Sequence, residues 1–137
     1  MKIIGFNFNK IFVEKKSGEF KGVRISNNVD ILSVEQIKNQ VITQKEELVG
    51  VGFKFTVDYG EDLAKIELGG LVILALDPKE TKEVLKGWKD KKLSNEFKIP
   101  LFNIILKKSN IKALVLADEL NIPSHMKLPS LKIEDKE

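Results

Sequence analysis

The chain has no cysteine, one histidine, one tryptophan, one tyrosine and four prolines in 137 residues. Without cysteine there is no disulfide, no thiolate nucleophile and no thiolate-held zinc. With His125 as the lone histidine, any Ser-His-Asp triad would have to run through that ring. Long apolar runs are missing too. Leu68 to Leu76 carries two glycines and falls far short of the ~20 residues that a membrane helix requires. Asn7 and Asn9 interrupt the amino-terminal apolar stretch, so no signal peptide and no membrane span are expected. Neither sign of charge dominates. Twenty-three basic and 20 acidic residues leave a net charge of +3, which permits nucleic-acid binding without implying it. A cytoplasmic protein is the expectation.

What is present is a well-patterned apolar set. Apolar residues make up 42% of the chain, enough for one domain with one core. Ile4, Phe6, Phe8 and Phe12 recur at even positions and predict a first strand over about 3–15. Val23, Ile25, Val29 and Ile31 keep odd parity and predict a second strand over about 22–33, with a bulge at Asn27-Asn28. Residues 34–47 are open between a longer strand, a short helix and a loop.

The stretch from Leu48 to Leu76 is the clearest. Val49, Val51, Phe53, Phe55, Val57 and Tyr59 share one face, and small or polar residues share the other. Tyr59-Gly60-Glu61-Asp62 is a turn by composition. The fourth strand alternates from Ala64 to Leu68 and then, after Gly69-Gly70, becomes apolar on both faces. The glycines are expected to let it bend or bulge where its burial changes.

Two helices should follow. Asp77-Pro78-Lys79-Glu80 is a helix start with a cap, a first-turn proline and an acidic residue three positions on. Val84, Leu85 and Trp88 then carry helical spacing, and the helix should end near Lys92 or Ser94. The second helix is expected to open at Pro100 and to stop before Pro123. It has one apolar stripe through Phe102, Ile105, Leu106, Ala113, Leu116 and Leu120, and a neighbouring one through Leu101, Ile104, Ile111 and Val115. A helix apolar on two stripes needs cover on two sides. One can be its own sheet; the other must be the first helix, a partner subunit or a bound apolar ligand. Residues 124–137 read as an extended, proline-containing tail behind a single domain of 1–123, with a charged, frayed end from Ile133.

No constellation points to catalysis. His125 sits in a proline-bordered tail, a poor frame for a base, and is expected to be an exposed or packed tail residue. Asp58, Glu61 and Asp62 cluster at a turn, where acidic residues are ordinary. Gly50-Val51-Gly52 begins like a dinucleotide loop, but the strand runs on and no helix follows. Neither an enzyme, a cofactor nor a metal is expected. Lys86, Lys89, Lys91 and Lys92 surround Trp88, so RNA contact by phosphate pairing and stacking is one reading; a solvated helix face with Trp88 anchored on the core is the other. The excess of apolar surface points instead to an oligomer interface or a binding groove.

In order and character these segments resemble the SecB-like chaperone family. FNFNKIFVEKKSGEF is similar to the family's first strand and the break after it. GFKFTVDYGEDLAKIELGGLVILAL is similar to its third and fourth strands, with the acidic turn and the Gly-Gly before an apolar run. Ile99-Pro100-Leu101-Phe102 then looks like the opening of its second helix. The resemblance covers roughly residues 3–131. It implies an α+β fold, a four-stranded antiparallel sheet with two C-terminal helices packed on one face. It also implies a homo-oligomer, dimer or tetramer, that holds unfolded or nascent polypeptides without ATP, in protein transport or a related pathway. Phe53, Phe55, Phe102, Ile105 and Leu106 would be the client-binding positions, and Val84 and Trp88 would lie at a subunit interface. The alternatives are a ribosome- or RNA-associated factor and a structural subunit of a larger complex. Three departures stand out. Translocation members are acidic where this chain is slightly basic. The tail lacks their metal-dependent docking segment. The second helix is longer, which implies a groove filled in part by the protein's own residues.

Overall fold

The computed structural model describes residues 1–38 and 46–133. Four strands, β1 (Lys2–Lys15), β2 (Ser26–Ile37), β3 (Glu47–Asp58) and β4 (Ala64–Leu76), precede two helices, α1 (Pro78–Lys89) and α2 (Asn95–Glu119). The strands form one antiparallel sheet in the order β1-β4-β3-β2. Both helices pack on the same face. The fold is therefore α+β, a four-stranded antiparallel sheet with two C-terminal helices on one side.

The central strands keep strict alternation. Val49, Val51, Phe53, Phe55 and Val57 of β3 and Ile66, Leu68, Val72 and Leu74 of β4 are buried beneath the helices. Gly50, Gly52, Lys54 and Thr56 are the intervening residues of β3, on the outer face.

The edge strands do not keep one parity. Each is bulged, and each bulge turns the following side chains over. In β1 the extra residues are Ile4 and Asn9, so Phe6 and Phe8 face the helices while Phe12 pairs with Glu67 on the outer face, 41% exposed. The even-parity expectation for β1 thus holds only for its middle. In β2 the bulge is at Leu32, not at Asn27-Asn28. It transfers the helix-facing role from Val29 and Ile31 to Val34. The strand also starts later than expected and continues to Ile37, so the first part of the open 34–47 region is strand. The middle of that region, 39–45, lies outside the described residues, as do 134–137 at the end of the tail.

Gly70 serves a close approach, and β4 has no bulge of its own. A Cβ on Gly70 would sit 2.4 Å from the Asn7 carbonyl oxygen and 2.6 Å from the Phe53 ring. The bulge is on the neighbour: Phe8 pairs with Gly70 and Lys10 with Gly69, with Asn9 extruded between them. Phe53 can then stack among Phe6 and Phe8, with ring centroids 5.2 and 6.3 Å away.

Helix α1 starts as its sequence predicts. The Asp77 carboxylate accepts from the Glu80 N–H at 2.7 Å, and Pro78 occupies the first turn. It closes in a Schellman turn: the Lys92 N–H donates to the Gly87 carbonyl at 2.7 Å and the Lys91 N–H to that of Trp88 at 3.0 Å. Lys91 takes the left-handed position, φ 54°. Helix α2 starts at Asn95, earlier than the expected Pro100, because Ser94 caps it by accepting from the Phe97 N–H at 3.4 Å. Pro100 is tolerated inside, near the amino end, where it removes a single intrahelical donor. The buried line of α2 runs through Phe97, Leu101, Ile105, Ser109, Ala113, Leu116 and Ala117. Of the second stripe, Leu101 is buried, whereas Ile111 and Val115 are 55% and 45% exposed. No helix among the described residues is long and apolar enough to cross a membrane.

Candidate functional site

The space between sheet and helices divides in two. Under α1 and the first half of α2 lies one cluster, built on Val49, Val51, Phe53, Val72, Leu74 and Leu101. Under the second half of α2 lies another, built on Phe55, Val57, Tyr59, Ile66, Leu68 and Leu116.

The second cluster is closed by the chain itself. A Schellman turn at Asn121, φ 54°, ends α2 and turns Ile122 into the core. The buried Tyr59 hydroxyl donates to the Pro123 carbonyl at 2.6 Å, and burial raises the Tyr59 pKa. His125 lies edge-on to Phe55, centroids 6.2 Å apart, and its Nε2 is 2.7 Å from the Asn110 Oδ1. Burial lowers the His125 pKa, so the neutral ring is favoured. From the other side the connection between β1 and β2 brings in Phe20, Val23 and Ile25, with Phe20 against Tyr59 at 5.9 Å. The lone histidine is thus a packing residue of the tail. Its bonding partner is an amide, not a nucleophile. At the acidic turn, the Asp58 carboxylate accepts from the Gly60 N–H at 2.8 Å, an ordinary Asx turn.

The first cluster is left open beside β2. A cavity of about 290 Å³ is lined by Val29, Ile31, Trp88, Leu93, Phe102 and charged residues at its mouth. A second, of about 480 Å³, lies between α1 and β2, over Val34, Leu85 and Trp88. Trp88 belongs to both, so the two form one apolar groove along an edge strand. Among the described residues no strand pairs with the outer edge of β2, which leaves backbone donors and acceptors along the groove.

The structure separates the expected site residues. Phe53, Phe55 and Ile105 are core, each at most 1% exposed. Phe102 and Leu106 are half-buried, and Phe102 reaches the open groove. Val84 is buried beneath α1, and Trp88 is half-buried in the groove wall. Lys86 and Lys89 line the cavity over Val34, and Lys91 lines the one at Phe102. Lys92 goes elsewhere, into a cleft with Glu80, Glu83 and Glu96. Lys82 and Lys98 join the groove and were absent from the expected basic set. The four-residue spacing of Lys82 and Lys86 on one helix face was the available signal. For Val29 and Ile31 no sequence signal separated a groove wall from ordinary strand burial.

A different polar cluster occupies the outer face. Glu67 is buried there, bonded by Lys10 and within 3.2 Å of Lys54 and 3.7 Å of Lys65. The hydrogen bond from Lys10, reinforced by Lys54, holds its pKa down to about 2. This network ties β1, β4 and β3 together, and the alternation of Lys65 and Glu67 had marked only a half-exposed strand.

No protein-family model matches the sequence, and no curated protein does. Among solved structures, the chain is similar to Mycobacterium tuberculosis Rv1957, described as a SecB-like chaperone in complex with a ChAD peptide from the Rv1956 HigA1 antitoxin. The TM-score is 0.54 at 13% identity, over 98% of this chain and 92% of that one. At that identity the likeness is one of fold, and it extends over nearly the whole length of both chains.

Proposed function

We propose that this protein is an ATP-independent holdase that binds unfolded or extended polypeptide in the groove beside β2. The observation that carries the reading is the apolar cavity pair meeting at Trp88 next to a strand edge that no other described strand pairs with. An extended client would add backbone hydrogen bonds to β2 and bury alternate side chains in the cavities. Apolar burial would supply about 25 cal/mol per Å² before ordering costs. Trp88 and Phe102 form the walls, with Phe53 and Ile105 in the core cluster beneath them; Phe55 lies under the closed end, and Leu106 lies further along α2. The peptide carried by the SecB-like protein of the same fold supports a polypeptide ligand. The exposed Ile111 and Val115 on α2 favour assembly into a homo-oligomer.

The test is suppression of aggregation of an unfolded, near-neutral test protein, without ATP, at near-stoichiometric amounts. Suppression that is lost in Phe102→Asp while the variant keeps its wild-type circular dichroism is the expected result. A folded wild-type protein that suppresses nothing would sink the reading. A second reading, RNA or ribosome contact, is favoured by Lys86, Lys89 and Lys91 lying beside Trp88. Phosphate contacts would make such binding fall steeply with salt.

A further inference from the structure

The groove has a charge that the rest of the molecule does not. Along α1, lysines and glutamates are interleaved in sequence but separated in space. Glu80 and Glu83 face a cleft shared with Lys92 and Glu96, whereas Lys82, Lys86 and Lys89 face the groove. At its other end Lys91 and Lys98 flank Trp88 and Phe102. Among the described residues, five lysines therefore line the groove against one carboxylate, Asp30. All five side chains are exposed, and none forms an ion pair among the described residues. The whole chain carries only +3, so the four unmatched positive charges at the groove exceed the protein's entire surplus.

We infer that the groove selects extended segments in which apolar or aromatic residues are interspersed with Asp and Glu. This rests on the polypeptide-binding reading and names its ligand class. The apolar walls take the anchors, and the unpaired rim lysines take the carboxylates. A strand advances about 3.4 Å per residue, so neighbouring side chains can serve the two roles in turn. A basic segment would place like charges together at the rim and be disfavoured. The aliphatic walls of Val29, Ile31, Val34 and Leu85 fit leucine or phenylalanine side chains better than nucleobases, which would stack on the two aromatic rings of the groove, Trp88 and Phe102.

Trp88 is the protein's only tryptophan, so its fluorescence reports the groove directly. Three tryptophan-free peptides of about ten residues, long enough to run along one strand, would share the same Leu and Phe positions. They would carry Glu and Asp, their amides, or Lys at the remaining positions. Titration of the full-length protein should give an affinity for the acidic peptide about tenfold above that for the amide peptide, as several rim pairs of modest strength imply. The Lys peptide should bind weakest. The advantage should shrink to about twofold near 0.5 M salt. It should vanish in a Lys86→Gln/Lys89→Gln/Lys98→Gln variant. Equal affinity for all three peptides, or a preference for Lys, overturns the inference while leaving polypeptide binding intact. Binding of none of them removes both readings. An oligouridylate that displaces the acidic peptide at lower concentration overturns the inference in favour of RNA.

Discussion

The two ends of the helix-covered face solve the same problem differently. Both begin as an apolar sheet surface that one layer of helix cannot cover. At the Tyr59 end the chain covers it with its own segments, Phe20 to Ile25 and Ile122 to His125, and fastens the cover with the Tyr59–Pro123 hydrogen bond. At the Trp88 end the cover stops short, and Val29, Ile31, Leu85 and Phe102 wall an open groove. A proline-bordered extended tail and an extended client are alike in chemistry. The closed end thus displays, within the protein, the kind of contact proposed for the open one.

Truncating aromatic residues should divide the two ends most sharply. Phe55→Ala, beneath the tail, should cost about 3–5 kcal/mol in urea unfolding, whereas half-buried Phe102→Ala should cost only about 1–2 kcal/mol. Equal losses would mean that the groove is as closed as the other end.

Loosening the cover is the next test. Tyr59→Phe removes the hydroxyl and leaves the Pro123 carbonyl without its donor, which should cost about 1 kcal/mol. Amide exchange should quicken from Asn121 to Met126 and stay unchanged in α1. Uniform acceleration would show that the tail does not open by itself.

Acid should act at the closed end before the rest. The His125 pKa lies below its ordinary value of 6.5 because burial opposes the charged ring. Its contribution to stability is therefore present above pH 6.5 and is lost as pH falls through the lower folded value. Glu67, held at about 2 against an ordinary 4.5, contributes above pH 4.5 and loses that contribution only as pH falls towards 2. The near-neutral slope of stability against pH should flatten in His125→Gln, and the loss below pH 4.5 should persist. An unchanged near-neutral slope would show that His125 does not titrate differently on folding.

The sheet and its helices were legible because each rests on local periodicity. β3 and the first part of β4, Ala64 to Leu68, alternate, and the turn between them is written in Gly60 and its acidic neighbours. The bulges were not legible. Ile4, Asn9 and Leu32 look like ordinary strand residues, and only pairing with a neighbour strand reveals the extra one. Helix α2 begins before Pro100, the more conspicuous start signal in the sequence, because Ser94 already caps it.

Sequence alone determined the α+β class, the order of elements and the buried face of β3. Those depend on residues near each other in the chain. Tertiary structure decided which phenylalanines became core and which reached a cavity. It also decided that the tail closes one end, that the interleaved charges of α1 part to opposite flanks, and that Lys98 joins Lys86 beside Trp88. Those outcomes depend on residues that meet only after the sheet has formed and the helices have docked on it, and a linear pattern carries no distance between them.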